Sequence, residues 1–235
     1  MHTGQPLGSG RTADVYAIDK SWVLRRYRDG TDATPELAVM AYLAASGFPV
    51  PRIGPPADPS MPVCDLVLQR LAGPTMAEAL TAGTLGGPEA AETLARLLRE
   101  LHTIPPRLSN DPYDRIIHLD LHPENVMLTP HGPVVIDWCN ASEGPPELDR
   151  AMSCLILAQA TLAPSLPAAS AVRGLLVELA GRLDEDGGIP AEALARARAL
   201  RAAGPCRTAE ELTALDEAVE LVAAVGRTAA DHPRR

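Results

Sequence analysis

The chain has 235 residues, a formal net charge of −9 and a pI near 5.1. It is long enough to bury a core without covalent staples, and too acidic for nucleic acid to be its main partner, because neutralising phosphates takes clustered lysine and arginine. The acidity is compatible with a cationic ligand or with solubility alone.

Aromatic residues make up 3% of the chain while alanine, leucine and valine abound, which predicts a helix-rich protein with a core of small aliphatic side chains. Cys64, Cys139, Cys154 and Cys206 include no CxxC pair and no metal-ligand spacing, so reduced thiols are expected rather than a disulfide framework or a zinc site. The first thirty residues carry no basic segment followed by an apolar one, and the longest apolar run, Ala151 to Ala163, is too short and polar to span a bilayer. A soluble, cytoplasmic protein with no membrane partner is expected.

In chain order, the opening stretch reads as two short strands, Val15 to Ile18 and Trp22 to Tyr27, joined by a polar turn at Asp19 to Ser21. In TPELAVMAYLAASG, Thr34 is expected to cap a helix, Pro35 to take its first position and Gly47 to stop it. VPRIGPPADPSMP supplies breakers, and DLVLQRLAGP, from Asp65 to Pro74, begins as a buried strand and ends on a Gly-Pro turn. Helical patterns then dominate, and Pro88 to His102 sets Ala91, Leu94, Leu97, Leu98 and Leu101 on one face. HLDLHPENVML spans His118 to Leu128, and GPVVIDW after it is a short apolar strand. Four helices follow: Leu148 to Ala163, Ala168 to Arg182, Pro190 to Ala203 and Thr208 to Val225, with Pro164 and Pro167 dividing the first pair. The order predicts an α+β protein with a small strand-rich lobe over residues 1–70 and a larger helical lobe over 71–235, joined near Gln69 to Gly73.

The chemistry concentrates in HLDLHPENVMLTPHGPVVIDW. Asp120 and Asn125 are five residues apart, and Asp137 follows twelve later at a strand end. Oxygen-bearing side chains of this kind suit a magnesium nucleotide, because a hard cation takes oxygen ligands and leaves its other positions to water and phosphate. One carboxylate must stay off the metal to orient an attacking hydroxyl. His118, Asp120, Asn125 and Asp137 fall in the order of the kinase signature HRDxxxxN and DFG; the competing reading is an incidental polar turn.

With these motifs the chain resembles the aminoglycoside phosphotransferase and choline kinase-like family, which shares the protein-kinase fold. HLDLHPENVML followed by VVIDW is similar to that family's HxDxxxxN and IDxx motifs, and the resemblance extends over nearly the whole chain. It implies a two-lobed, protein-kinase-like fold with ATP and Mg2+ as cofactors. It makes Asp120 the catalytic base or hydroxyl-orienting group, His118 a brace for the loop, and Asn125 and Asp137 the magnesium ligands.

GSGRTADVYAI places Gly8, Gly10 and Ala13 at the GxGxxG positions, followed by Val15. Small residues there let backbone N–H groups approach phosphates, although a glycine turn in any hairpin looks similar. Strand alternation puts Val23 and Arg25 on one face. Arg25 falls where the family has its phosphate-contacting lysine and replaces a point charge by a broader planar fork; otherwise it is a solvated strand arginine. Glu36 resembles the partner of that residue in the strand-to-helix ion pair of kinases, or is an acid favoured near a helix N-terminus. By analogy the backbone of Gln69 and Leu71 meets the adenine edge. Asp149 falls where the family has an aspartate that hydrogen-bonds the catalytic loop. Trp138 and Cys139 replace the Phe-Gly of protein kinases, so the metal loop is expected to switch little. His122 follows the family's DLHP wording with its role open.

Eleven residues between Asp137 and Asp149 leave no room for a peptide-presenting activation segment, which favours a small-molecule acceptor. The brief stretch between His102 and His118 lacks the helical insert of many relatives. Glu143, Glu147 and the run Asp184, Glu185, Asp186 are candidates to meet a cationic substrate, or are simply solvated. The expected activity is transfer of the γ-phosphate of ATP to a hydroxyl of a small molecule, an aminoglycoside or other antibiotic among the acceptors. The alternatives are a metabolite kinase for an amino alcohol or sugar, and a nucleotide-binding pseudokinase acting as a binding module.

Overall fold

The computed structural model describes residues 4–10, 12–56, 58, 60–162, 169–203 and 209–231. Ala163, Pro164, Pro167, Ala168, Cys206 and Thr208, named above, lie outside the described residues. In chain order the elements are β1 (Pro6–Ser9), β2 (Ala13–Ala17), β3 (Trp22–Tyr27), α1 (Thr34–Ala45), β4 (Asp65–Gln69), α2 (Met76–Thr81), α3 (Gly87–Leu101), β5 (Arg115–Ile117), β6 (Val126–Thr129), β7 (Gly132–Val135), β8 (Ser142–Gly144), α4 (Pro146–Leu162), α5 (Ala169–Leu183), α6 (Ala191–Ala202) and α7 (Ala209–Asp231). They fall into two compact units, Met1–Pro74 with Val126–Ala141, and Thr75–Asn125 with Ser142–Arg235.

The first unit is built on an antiparallel sheet in the order β1-β2-β3-β4. β2 and β3 form the expected hairpin, and its turn is fixed by the Asp19 carboxylate, which accepts the N–H groups of Ser21 (2.6 Å) and Trp22 (2.8 Å). β1 is a strand the local pattern does not announce. Its Pro6 and Gly8 are poor strand formers, and it is held at the exposed edge by pairing with β2 across a register shift between those two residues.

α1 begins one residue from the expected cap. Thr34 is already helical, Ala33 takes the capping position without a side-chain bond, and the Asp32 carboxylate accepts the Thr34 N–H at 2.8 Å. Asp32 thus does the work assigned to Thr34, because only a residue still outside the helix can turn a side-chain oxygen back onto the first N–H groups. Leu24, Met40, Leu43 and Leu66 form the fully buried centre of this unit. The β6–β7 hairpin belongs to the same unit, tied by Leu128 N–H to the Pro74 carbonyl (2.8 Å) and by Val135 N–H to the Pro49 carbonyl (2.9 Å).

The second unit is helical. The α3 stripe read from the sequence is its packing face, with Ala91, Leu94, Leu97, Leu98 and Leu101 all buried. α4 is the central helix, and the unbroken burial of Ala151–Ala158 explains its apolar run without a membrane. Among the described residues no helix is long and apolar enough to cross a bilayer. The pair β5–β8 and the six-residue α2 have too few residues for a periodic signal. α2 is set instead by a capping box: Thr75 Oγ1 accepts the Glu78 N–H, and the Glu78 carboxylate accepts the Thr75 N–H.

Gly73 closes β4 at φ +125°, and a Cβ there would lie 2.0 Å from the Leu128 carbonyl oxygen. Gly73→Ala is expected to destabilise the protein by more than about 2 kcal/mol. Gly30→Ala, also at positive φ but facing open space, is expected to cost about 1 kcal/mol. Urea unfolding of the two variants measures the difference.

Candidate functional site

In the first unit, β3 alternation carries Arg25 inward, so its guanidinium is buried where a charge needs partners. It has two. Nη1 donates to Glu36 Oε1 of α1, and Nη2 donates to Asp137 Oδ1 beyond β7 at 2.5 Å. The fork spans two carboxylates that a single ammonium would have to share. Burial alone would lower the Arg25 pKa, but the charges of Glu36 and Asp137 raise it above its ordinary value.

Glu36 is the hub of this cluster. Its Oε1 also accepts the Trp138 N–H at 3.1 Å, and its Oε2 accepts the Tyr27 hydroxyl at 2.5 Å. Burial, then the bond to Glu36, pushes the Tyr27 phenol pKa up, so it remains a donor. Trp138 is buried, stands edge-on to Phe48 at 5.7 Å, and donates Nε1–H to the Val135 carbonyl. The Trp138 anchor holds the turn after Asp137 from both its backbone and its ring, while Asp137 itself adopts φ +62°.

The other residues read as cofactor contacts surround the same sheet. Val15 is paired with Arg25, and Val23 lies on the Arg25 face one pleat away. Gly8 lies in β1 and Gly10 just beyond it, where Gly10 N–H bonds the Ala13 carbonyl. Neither glycine has a positive φ, and a Cβ on Gly8 would meet nothing within 4 Å. Their smallness is therefore not required by the protein's own packing. Arg28 braces this turn by donating to the Gly10 carbonyl and to Asp14. At the end of β4, Gln69 N–H is taken by the Arg52 carbonyl and Arg70 N–H by the Ser21 carbonyl.

In the second unit, Asp149 organises the loop that carries Asp120. It is fully buried at the start of α4 and accepts His118 N–H (2.9 Å), Leu119 N–H (2.7 Å) and His102 Nε2–H (3.1 Å). Burial would raise its pKa, but His102 and the loop N–H groups hold it below the ordinary aspartate value. Leu119 sits at φ +60°, a conformation that costs a branched residue about 1–2 kcal/mol and must be held from outside. His118 is completely buried, and its Nδ1 accepts the Asp120 N–H at 3.2 Å.

Asn125 Nδ2 donates to the Asp120 carbonyl (2.8 Å) and carboxylate (3.2 Å), with His122 Nε2 at 3.3 Å. The amide nitrogen is thus committed to the loop. Burial would raise the Asp120 pKa, yet His122, His118 and Arg201 bring it below its ordinary value.

Asn125 and Asp137 each offer the hard oxygen that magnesium takes. Among the described residues no group of three or more His, Cys, Asp or Glu could hold a metal by itself. Two of the acids nominated for a cationic substrate, Glu143 and Asp186, are engaged within the protein. Glu143 accepts N–H groups from Arg107, Leu108 and Ser109 at 3.0, 2.8 and 2.6 Å, and Asp186 is bound by Arg99 at 2.9 Å. His102, Tyr27 and Arg201 escape sequence reading because each lies far along the chain from its partner or outside any motif; a polar residue closing the apolar face of α3 is the one local hint of His102.

A model of the phosphotransferase enzyme family matches residues 3–116 and 108–182. Comparison with curated proteins gives no match. Among solved structures, the aminoglycoside phosphotransferase APH(2'')-Ib bound to ADP is similar with a TM-score of 0.56 at 14% identity, over 96% of this chain and 95% of its own. The amicoumacin kinase hAmiN in complex with AMP-PNP and Ca2+ has a TM-score of 0.53 at 13% identity, over 93% of this chain and 87% of its own. At such identities the likeness establishes the α+β, protein-kinase-like fold.

Removing Asp149 strands two backbone donors and a histidine in the interior. Asp149→Ala is expected to lower stability by about 3 kcal/mol or more, read by urea unfolding. Because the folded pKa of Asp149 is depressed, its contribution is complete above the unfolded value and is lost as pH falls through the folded one. The gap between wild type and Asp149→Ala should therefore be full at pH 7 and shrink only under acid conditions. Arg25→Ala, which leaves Glu36 buried without its cation, is expected to cost about 3–5 kcal/mol in the same measurement.

Proposed function

Since the chain belongs to the phosphotransferase enzyme family, we propose that it transfers the γ-phosphate of magnesium-ATP to a hydroxyl of a small molecule. The observation that carries this reading is Asp120. Its carboxylate is kept ionised by neighbouring donors, on a loop fixed through His118 and Leu119 to one buried aspartate. An ionised carboxylate held still is what aligns an acceptor hydroxyl for in-line attack.

Asp120 accepts the hydroxyl hydrogen bond and directs the oxygen lone pair toward the γ-phosphorus. The new O–P bond forms as the bond to the β-phosphate oxygen breaks. The hydroxyl proton passes to Asp120 late, when the oxygen has become acidic, and leaves to solvent. Asn125 holds the Asp120 side chain and carbonyl during this exchange. Arg25, fixed by Glu36 and Asp137, presents positive charge to the triphosphate, and the small residues Gly8 and Gly10 leave room for phosphate to approach the backbone. Asp137 and Asn125 would each give an oxygen to magnesium, which when bound neutralises phosphate charge. Val15, Val23 and the backbone of Gln69 and Leu71 serve the adenine. The ADP and AMP-PNP of the solved relatives support a nucleotide in this role, and dependence on ATP suits a cytoplasmic enzyme.

Solved relatives are found in complex with antibiotics, gentamicin and streptomycin among them. A role in antibiotic resistance follows if an antibiotic proves to be the acceptor here; an amino alcohol or a sugar makes the protein a metabolite kinase. A nucleotide-binding module without turnover is the competing class. Its support is that both arms of Arg25 already engage carboxylates.

The test is incubation with magnesium-ATP and a panel of aminoglycosides, other antibiotics, amino alcohols and sugars, reading ADP release and product mass. Turnover is expected on at least one acceptor, and Asp120→Ala should lower kcat by about 10²-fold or more. Undiminished turnover in that variant would falsify the mechanism, and nucleotide binding with no turnover on any acceptor would establish the binding module. Since the Asp120 pKa is depressed, its active, charged form persists to lower pH. The profile of kcat/KM should show no inflection from this group between about pH 5 and 8, and should fall only below that range.

A further inference from the structure

We infer that Tyr27 is the positioning residue that lets an arginine serve at position 25. Its ring and its hydroxyl together keep Arg25 on one oxygen of Glu36, so that Nη2 stays turned to Asp137 and the triphosphate. This deepens the phosphotransferase reading and rests on it.

Tyr27 lies two residues beyond Arg25 in β3, so alternation puts both side chains on one face of the strand, where both are buried. The guanidinium carbon of Arg25 stands 5.0 Å from the centroid of the Tyr27 ring, within the range at which the face of an aromatic ring attracts a cation. Tyr27 is itself fixed on the sheet, because its N–H is bound to the Cys64 carbonyl at 3.0 Å. From the same ring the hydroxyl donates to Glu36 Oε2 at 2.5 Å, while Oε1 takes Arg25 Nη1 and the Trp138 N–H. One side chain thus touches both members of the ion pair.

Two neighbouring arginines show the alternative arrangement. Arg26 grips Asp65 with two nitrogens on two oxygens, Nε at 2.6 Å and Nη2 at 2.5 Å. Arg28 grips Asp14 likewise, through Nε at 3.0 Å and Nη2 at 2.6 Å, although the Ser9 hydroxyl also donates to that carboxylate. A hydroxyl on the carboxylate is therefore not enough to open such a pair. Arg25 meets Glu36 through Nη1 alone and sends Nη2 to Asp137. Here the ring against the guanidinium sets the plane of the fork, and the hydroxyl satisfies the second oxygen of Glu36 without drawing on the arginine.

Loss of the hydroxyl takes a donor from a buried carboxylate oxygen, and the arginine fork can replace it by closing onto both oxygens, as Arg26 does on Asp65. Nη2 would then be withdrawn from Asp137 and from the phosphates. A lysine has no second nitrogen to divert, so this role of Tyr27 exists only with arginine at position 25.

The test measures equilibrium binding of magnesium-AMP-PNP and of adenosine to wild type, Tyr27→Phe, Tyr27→Leu, Arg25→Lys and the Tyr27→Phe, Arg25→Lys double variant. Thermal unfolding identifies the variants that are folded at the assay temperature. Tyr27→Phe, which keeps the ring, is expected to weaken magnesium-AMP-PNP binding by about tenfold and to leave adenosine binding unchanged. Tyr27→Leu, which also removes the ring, should lose about threefold more; if it does not fold, Tyr27→Phe decides. In the Arg25→Lys background, Tyr27→Phe should change magnesium-AMP-PNP binding by less than about twofold. Unchanged magnesium-AMP-PNP binding in Tyr27→Phe overturns the inference. So does an equal loss for adenosine, or an equal loss with arginine and lysine at position 25, since a merely structural role produces both. Failure of the wild type to bind magnesium-AMP-PNP at all overturns the phosphotransferase reading instead.

Discussion

Two buried carboxylates govern this protein, and Asp149 is the one on which the loop geometry depends. An ionised group in the interior is tolerated only when its lone pairs are filled, and Asp149 fills them with the N–H groups of His118 and Leu119 and the ring of His102. Satisfying that charge forces two consecutive backbone N–H groups to point at one side chain. It thereby sustains the positive φ of Leu119 and sets where Asp120 emerges. The strain at Leu119 and the buried charge at Asp149 stabilise each other, since neither would persist without its counterpart.

Glu36 performs the corresponding service in the other unit. It gathers Arg25, Tyr27 and the Trp138 N–H, and through Arg25 it is linked to Asp137. A lysine at position 25 would carry the charge but not the two separated donors, and the aromatic Trp138 in place of a flexible residue locks the following turn. Both features favour a fixed arrangement over a switching one. Within each unit the polar residues with functional roles proposed are thus held by charges that the fold cannot leave unpaired, which is the condition for a preorganised site.

Much of the fold was legible in the sequence where a long periodic segment met a clear stop. α3 shows its apolar face at helical spacing, α1 ends at a glycine with positive φ, and β2 and β3 flank a turn that Asp19 closes. Legibility fails where structure is imposed from elsewhere. β1 is a strand only because β2 offers it hydrogen bonds, β5 and β8 are three residues each, and the cap expected at Thr34 is supplied by Asp32. The candidate site divides in the same way. Asp120, Asn125 and Asp137 stand out by residue type and spacing, and Glu36 could be paired with Arg25 through a known pattern. His102 and Arg201 had no such signal, because their meaning lies in partners 47 and 81 residues away.

The sequence by itself determined the residue types and their order: a buried-strand region, a helical region, and a run of acids and amides suited to phosphate chemistry. It could do so because periodicity and motif spacing are local properties of the chain. Only the tertiary structure decided which charges were spent and on what. It tied Glu143 to three backbone N–H groups, used Asp186 to hold Arg99, and set Arg201 beside Asp120. The charge environment of Asp120 was settled at that level, because electrostatic partnership depends on distance and burial in space, and neither is written in the separation of residues along the chain.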